Sequence, residues 1–246
     1  MSIELAGLSW NPVSDLEQLT EFPFMAQALE AGTIVAVMAG AIGWFMVLRR
    51  QTFAGHTLSV IAFPGAAGAT LAGLPLALGY FGACGLGALA LSAVGRSERG
   101  GLSGESAATG TVQAFCLGLG FLFVSLYGGQ LTSLESLLFG TFLGITAAQV
   151  ETLLWIALAA LAVLATIGRP LLFASVDGTV ARAAGVPTSA LALAFLLLLG
   201  LAVAATAEIT GALLVFALLV TPAATAHQLT ARPALGIGRA SCRERV

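Results

Sequence analysis

Ser189–Ala207 reads SALALAFLLLLGLAVAATA, nineteen residues without a charge. About 20 apolar residues in a helix cover a hydrocarbon core of about 30 Å, so this stretch predicts a membrane-spanning helix. Working outward, comparable runs lie near residues 25–48, 55–73, 76–95, 109–127, 150–168 and 209–227. The whole chain agrees. Of 246 residues 58% are hydrophobic and only 9% charged, whereas a water-solvated surface needs about 25% charged residues. The expected fold is therefore an all-α, polytopic transmembrane helical bundle of about seven spans. Gly, Ala, Ser and Thr run through those spans, as in Ala36–Gly43 and Gly82–Ala88, and small residues let helices approach closely in lipid. Leu134–Gly144 is amphiphilic and too short to cross, which predicts a short outer re-entrant helix between spans four and five.

The few charges carry direction. All ten basic residues are arginine. With no lysine there is no GxxxxGK[ST] phosphate loop, no Schiff-base lysine and no Ser-Lys dyad, so the chain is read as no enzyme and as lacking an ATPase motif of its own. Arg49, Arg50, Arg96, Arg99, Arg169, Arg182 and Arg232 follow the odd-numbered spans, while Glu4, Asp15, Glu17, Glu21, Glu135 and Glu208 fall on the other side. Arginine-rich segments stay in the cytoplasm, so the reading is a multi-pass protein of the inner (plasma) membrane with its N-terminus outside. The acidic start has no basic n-region and predicts no cleaved signal peptide. A net charge of −2 gives no footprint for nucleic acid. Three cysteines, Cys84, Cys116 and Cys242, show no metal-type spacing.

Polar residues inside apolar spans are the candidates for function. Span two opens Gly55-His56-Thr57-Leu58-Ser59 and contains Pro64-Gly65, a helix break in mid-membrane. Broken helices in lipid line cavities, and an imidazole beside hydroxyls suits a cation path; the same residues also fit a packing kink with a histidine near the headgroups. Glu208 is either the outer mouth of a pathway or part of the hairpin joining two helices, and the flanking Thr206, Thr210 and Gly211 favour the hairpin. Gln113 and Gln149 are read as interhelical hydrogen-bond donors, and His227 as an interfacial residue.

Arg169-Pro170 is expected to end span five. The following SVDGTVARAAGVP, Ser175–Pro187, then carries its own punctuation: Ser175 or Asp177 to cap a short helix, Gly185 to close it and Pro187 to stop it. Such a helix presents a rigid knob to the cytoplasm.

Residues 175–187 resemble the cytoplasmic motif S-x-D-x-x-x-A-x-A-x-G-V of the zinc, manganese and iron ABC-importer permeases. Gln51–Ser59 with Phe63-Pro64-Gly65, Leu138–Ile145, and Gly211–Ala226 (GALLVFALLVTPAATA) resemble three further stretches of that family, in family order. The resemblance implies a permease subunit of an ATP-driven importer for divalent metal ions, working by alternating access. Its implied partners are separate ATPase subunits, which would carry the ATP, an extracytoplasmic metal-binding protein, and a second permease copy. This chain itself would bind no cofactor. The ATPases would dock on the helix containing Ser175, Asp177, Ala181, Arg182, Ala183 and Gly185, and the metal would pass His56, Ser59 and Glu208, with His56 the candidate ligand. The chain departs from the family at Val60, where a histidine is common, so no metal role carries over there. Residues 1–235 are read as the permease domain, lacking the family's last spans, and the arginine-dense 236–246 as a non-native tail.

Two rival functions follow from the residues. Gly101-Leu102-Ser103-Gly104 matches the GxSG of intramembrane serine proteases, with His227 as base, but Ser103 is expected in a charged loop rather than a bundle cavity. A secondary transporter independent of ATPases is the other, although the chain shows no internal repeat.

Overall fold

The computed structural model describes residues 22–97, 102–126, 128, 131–140 and 144–229. Among these all regular structure is helical: α1 (Pro23–Leu48), α2 (Thr52–Leu71), α3 (Leu76–Ser97), α4 (Leu102–Leu126), α5 (Leu131–Phe139), α6 (Ala147–Val176), α7 (Gly178–Ala183), α8 (Thr188–Thr210) and α9 (Ala212–Leu229). Five helices, α1, α3, α6, α8 and α9, are long and apolar enough to cross a membrane. Helix α2 carries His56, Thr57 and Ser59 in its first half, and the apolar part of α4 is the shorter Gly110–Leu126, so these two fall below that measure.

Helices α1, α2 and α8 form the centre. Helix α2 packs on α3, α4, α8 and α9, while α1 runs against α9, α6 and α8. The core is built from Met38, Ile42, Trp44, Met46, Leu58, Phe63, Phe195, Leu199 and Val203, all buried. At the periphery Phe115 on α4 and Trp155 on α6 are about two-thirds exposed, at 68% and 65%, within faces of large apolar side chains that suit hydrocarbon rather than water.

Close helix approach depends on missing side chains. A Cβ added to Gly65 would meet Ala83 and the carbonyl of Gly79, and one added to Gly79 would meet Gly65 and Ala69, so α2 and α3 cross nearly backbone to backbone. Gly140, after α5, and Gly211, between α8 and α9, do the same across the bundle. Each has φ +75°, and a side chain on either would strike the other's backbone or its neighbours.

Several expectations change in three dimensions. Pro64 does not break the second span: α2 continues through it, and Pro64 is buried. Membrane helices tolerate an internal proline, and Gly65 beside it serves the α3 contact. Pro170 likewise does not end span five. Helix α6 runs 30 residues to Val176, about 45 Å at 1.5 Å per residue, longer than a hydrocarbon core of about 30 Å. Glu208 is not in a hairpin; it sits in the last turn of α8, and Gly211 alone makes the joint. Thr206 and Thr210, expected in a turn, are helical and buried, with Thr210 Oγ1 donating to the Thr206 carbonyl. Gln149 is local rather than interhelical, forming a capping box with Thr146 at the start of α6. Ser103 falls on the first turn of α4 rather than in a loop, and its side chain, the acidic start and the tail 236–246 lie outside the described residues.

Gly65→Ala is expected to lower stability by about 1–3 kcal/mol through overpacking. Gly82→Ala on the same helix pair, where a Cβ meets nothing within 4 Å, is expected to be neutral or stabilising by up to about 1 kcal/mol. Thermal unfolding of the two variants in lipid nanodiscs checks the contrast.

Candidate functional site

Polar groups collect in two regions. The first is α2. His56 is half-buried, its ring 4.6 Å from that of Phe216 on α9. Its Nδ1 is buried without a hydrogen-bond partner. An orphaned polar atom costs about 1–3 kcal/mol, so a retained one asks for a purpose. Ser59, buried on the next turn, donates to the His56 carbonyl at 2.7 Å. Thr57 donates to the Phe53 carbonyl and accepts from Gln113 Nε2 of α4 at 3.1 Å, which is the interhelical role expected of Gln113.

Glu208 belongs elsewhere. It lines a cleft of about 250 Å³ between α3, α6 and α8, with Ala77, Phe81, Gln149 and Thr152 around it. His56 and Glu208 therefore face different neighbours. Among the described residues no three His, Cys, Asp or Glu side chains are grouped to hold a metal ion. His227, at the far end of α9, stacks on Trp44 of α1 with ring centroids 4.7 Å apart, its Nε2 lying 2.9 Å from the Trp44 carbonyl. Since a carbonyl only accepts, Nε2 is the donor in that contact, and the ring tethers α9 to α1.

The second region is the end where α6, α7 and α8 meet. Asp177, not Ser175, caps α7: its Oδ1 accepts from Thr179 N at 2.9 Å, Val180 N at 3.0 Å and Thr179 Oγ1 at 2.6 Å. Those bonds, led by the Thr179 hydroxyl, hold the Asp177 carboxyl below the usual aspartate range. Gly185, with φ +83°, turns the chain after α7, and the Val186 amide donates back to the Ala181 carbonyl. Ala181 is fully buried against the bundle, so it sets how closely α7 sits and is not presented outward. Arg182, Ala183 and Gly185 are exposed. Val176 and Val180 join them at 76% and 51% exposure. Sequence reading passed over these two valines; their place on either side of a capping aspartate was the available signal.

Ser175 has another task. It closes α6 by donating to the Leu171 carbonyl and accepts from Arg49 Nη1 at 3.2 Å. The Arg49 guanidinium also lies 5.6 Å from the centroid of Phe195, and partial burial lowers its pKa from the ordinary arginine value. Arg49 entered the sequence reading only as a topogenic charge, because its partners are 126 and 146 residues away.

With this geometry described, comparison with known proteins decides the affiliation. Residues 21–241 match the ABC 3 transport family. The chain belongs to that family. Among its relatives, the manganese transport system membrane protein MntC of Halalkalibacterium halodurans is 31% identical over 216 residues, covering 88% of this chain and 73% of the relative. The chelated iron transport system membrane protein YfeC of Yersinia pestis is 32% identical over 217 residues, covering 88% and 72%. Among solved structures, PsaBC from Streptococcus pneumoniae in complex with Fab superposes with a TM-score of 0.82 at 27% identity, covering 95% of this chain and 83% of that one. The ABC 3 fold thus accounts for the helical membrane bundle, and the family is one of transport subunits.

The Asp177 cap has a pH signature. A carboxyl lowered on folding stabilises α7 fully above the ordinary aspartate pKa, and that contribution is lost as pH falls through the lowered value. Protection of the Thr179 and Val180 amides, measured against their intrinsic exchange rates, is expected to be high at neutral pH and to fall in acid. Asp177→Ala should abolish the protection at every pH, and Asp177→Asn, which keeps an acceptor, should preserve most of it without the acid transition.

Proposed function

We propose that this ABC 3 chain is the membrane-spanning permease of an ATP-driven importer of divalent transition-metal ions, with manganese or iron as cargo. The observation that carries the reading is α7: a capped six-residue helix between two long apolar helices, with Val180 and Arg182 exposed on it and Val176, the last residue of α6, exposed beside it. Exposed valines beside a cation form a small apolar and positive knob suited to a groove on another protein. Separate ATPase subunits are its occupants. In this reading α7 faces the cytoplasm, the N-terminus lies outside, and α2 and α4 complete seven spans. Helix α5 is a short re-entrant element on the outer side, packed on α2, α8 and α9.

The metal path runs along α2. His56 supplies a free imidazole nitrogen and Ser59 and Thr57 hydroxyl oxygens, a mixed N and O donor set that manganese and iron accept. A single imidazole with hydroxyls binds weakly, and weak ligation lets a cargo ion leave again. Glu208, on its separate cleft, provides a carboxylate towards the outer face, where an extracytoplasmic binding protein delivers the ion. A second permease copy encloses the other side of the path. Transport is alternating access: ATP-driven closure of the ATPase subunits moves α7, and the bundle answers. The ATP stays on those subunits.

Reconstitution of the chain with its ATPase subunits and binding protein in vesicles tests the reading. ATP-dependent Mn²⁺ uptake is expected, with loss of ATPase co-purification in a variant that replaces Val176 and Val180 by aspartate. His56→Ala should assemble normally and cut uptake by about tenfold or more, the scale of one lost ligand contact. Absence of ATPase binding by the unaltered chain sinks the proposal; unchanged uptake in His56→Ala demotes His56 to a packing residue.

A further inference from the structure

We propose that Arg49 is the positioning residue that couples α7 to the transport bundle, acting through Ser175. The proposal rests on the permease reading and adds a part to it. Three helices meet at this one cation. Arg49 is the C-cap residue of α1, donates from Nη1 to Ser175 Oγ at the end of α6, and lies over the Phe195 ring of α8. Ser175 is two residues before Asp177, the cap of α7. Any displacement of α7 by a docked partner must either carry Ser175 and Arg49 with it or break their bond.

The other side of the joint leads to the path. The corner from α1 to α2 is tight: the Gln51 amide donates to the Met46 carbonyl and the Arg50 amide to the Val47 carbonyl. Arg50 is held at φ 56°, the left-handed conformation that a glycine would adopt without strain. A corner fixed so closely transmits movement instead of absorbing it. Only six residues separate Arg49 from His56, and Gly55 lies against Met46 of α1. The Arg49 Nε and Gln51 Oε1 atoms are buried without hydrogen-bond partners, which leaves unused donor and acceptor capacity at the joint for a second arrangement. Arginine suits this role better than lysine. Its planar fork bonds the hydroxyl while its face lies on the aromatic ring, and an ammonium offers a single charge centre for both.

The test compares Mn²⁺ uptake with ATP hydrolysis in the same vesicles, using the complete complex. In Arg49→Ala, ATPase binding and hydrolysis are expected to persist while Mn²⁺ moved per ATP falls by about tenfold, the equivalent of one charge-assisted hydrogen bond. Arg49→Lys should recover part of that loss. Ser175→Ala should move the ratio in the same direction, and the double variant should be no worse than Arg49→Ala alone, because both changes remove one contact. An unchanged ratio in Arg49→Ala and Ser175→Ala, or losses that simply add, overturns the proposal. If Arg49→Ala fails to fold, Ser175→Ala and Phe195→Leu carry the same comparison. If the unaltered complex hydrolyses ATP without moving Mn²⁺, the permease reading itself fails, and that outcome is visible before any variant is made.

Discussion

Helix α2 lies against α3 because Gly65 and Gly79 leave room for each other's backbone. In lipid the hydrophobic effect does not drive one helix against another, so association depends on close contact, and close contact depends on small residues at the crossing. The rest of the bundle is arranged around this seam. Helix α3 in turn packs on α8, where a Cβ on Gly200 would press on Cys84 and Ala88. Helices α2, α3 and α8 thus pack tightly on one another, and α1 completes the buried centre against α8, α6 and α9. Gly140 and Gly211 close one end by the same device.

A bundle packed this tightly has little space for polar side chains, which explains where they are. Thr57, Ser59, Thr206 and Thr210 are buried, and Thr57, Ser59 and Thr210 return their hydroxyls to carbonyls of their own helices. His56 is the exception on α2, holding a buried nitrogen that no protein group satisfies. His227, by contrast, has its Nε2 bonded to the Trp44 carbonyl.

Much of the fold was legible along the chain. Apolar runs near 20 residues gave the long helices, since their length is set by membrane thickness. The motif at 175–187 gave α7, because capping is a contact between residues two or three apart. The failures share one cause. Pro64, Pro170 and the polar Thr206-Glu208-Thr210 segment were read as interruptions from residue type alone. In each case the helix continues through the segment. Gln149 was misread for the opposite reason, its partner Thr146 being three residues away and not across the bundle.

The sequence by itself determined that the chain is a helical membrane bundle and where a capped helix interrupts the spans. These follow from local hydropathy and capping, both properties of neighbouring residues. Only the tertiary structure decided that His56 and Glu208 face different surroundings, that Ala181 turns inward while Val176 and Val180 turn outward, and that Arg49 joins Ser175 and Phe195. Those relations join residues more than a hundred positions apart, or choose one face of a helix over another. They are set by how the helices cross, and crossing is decided by packing rather than by pattern.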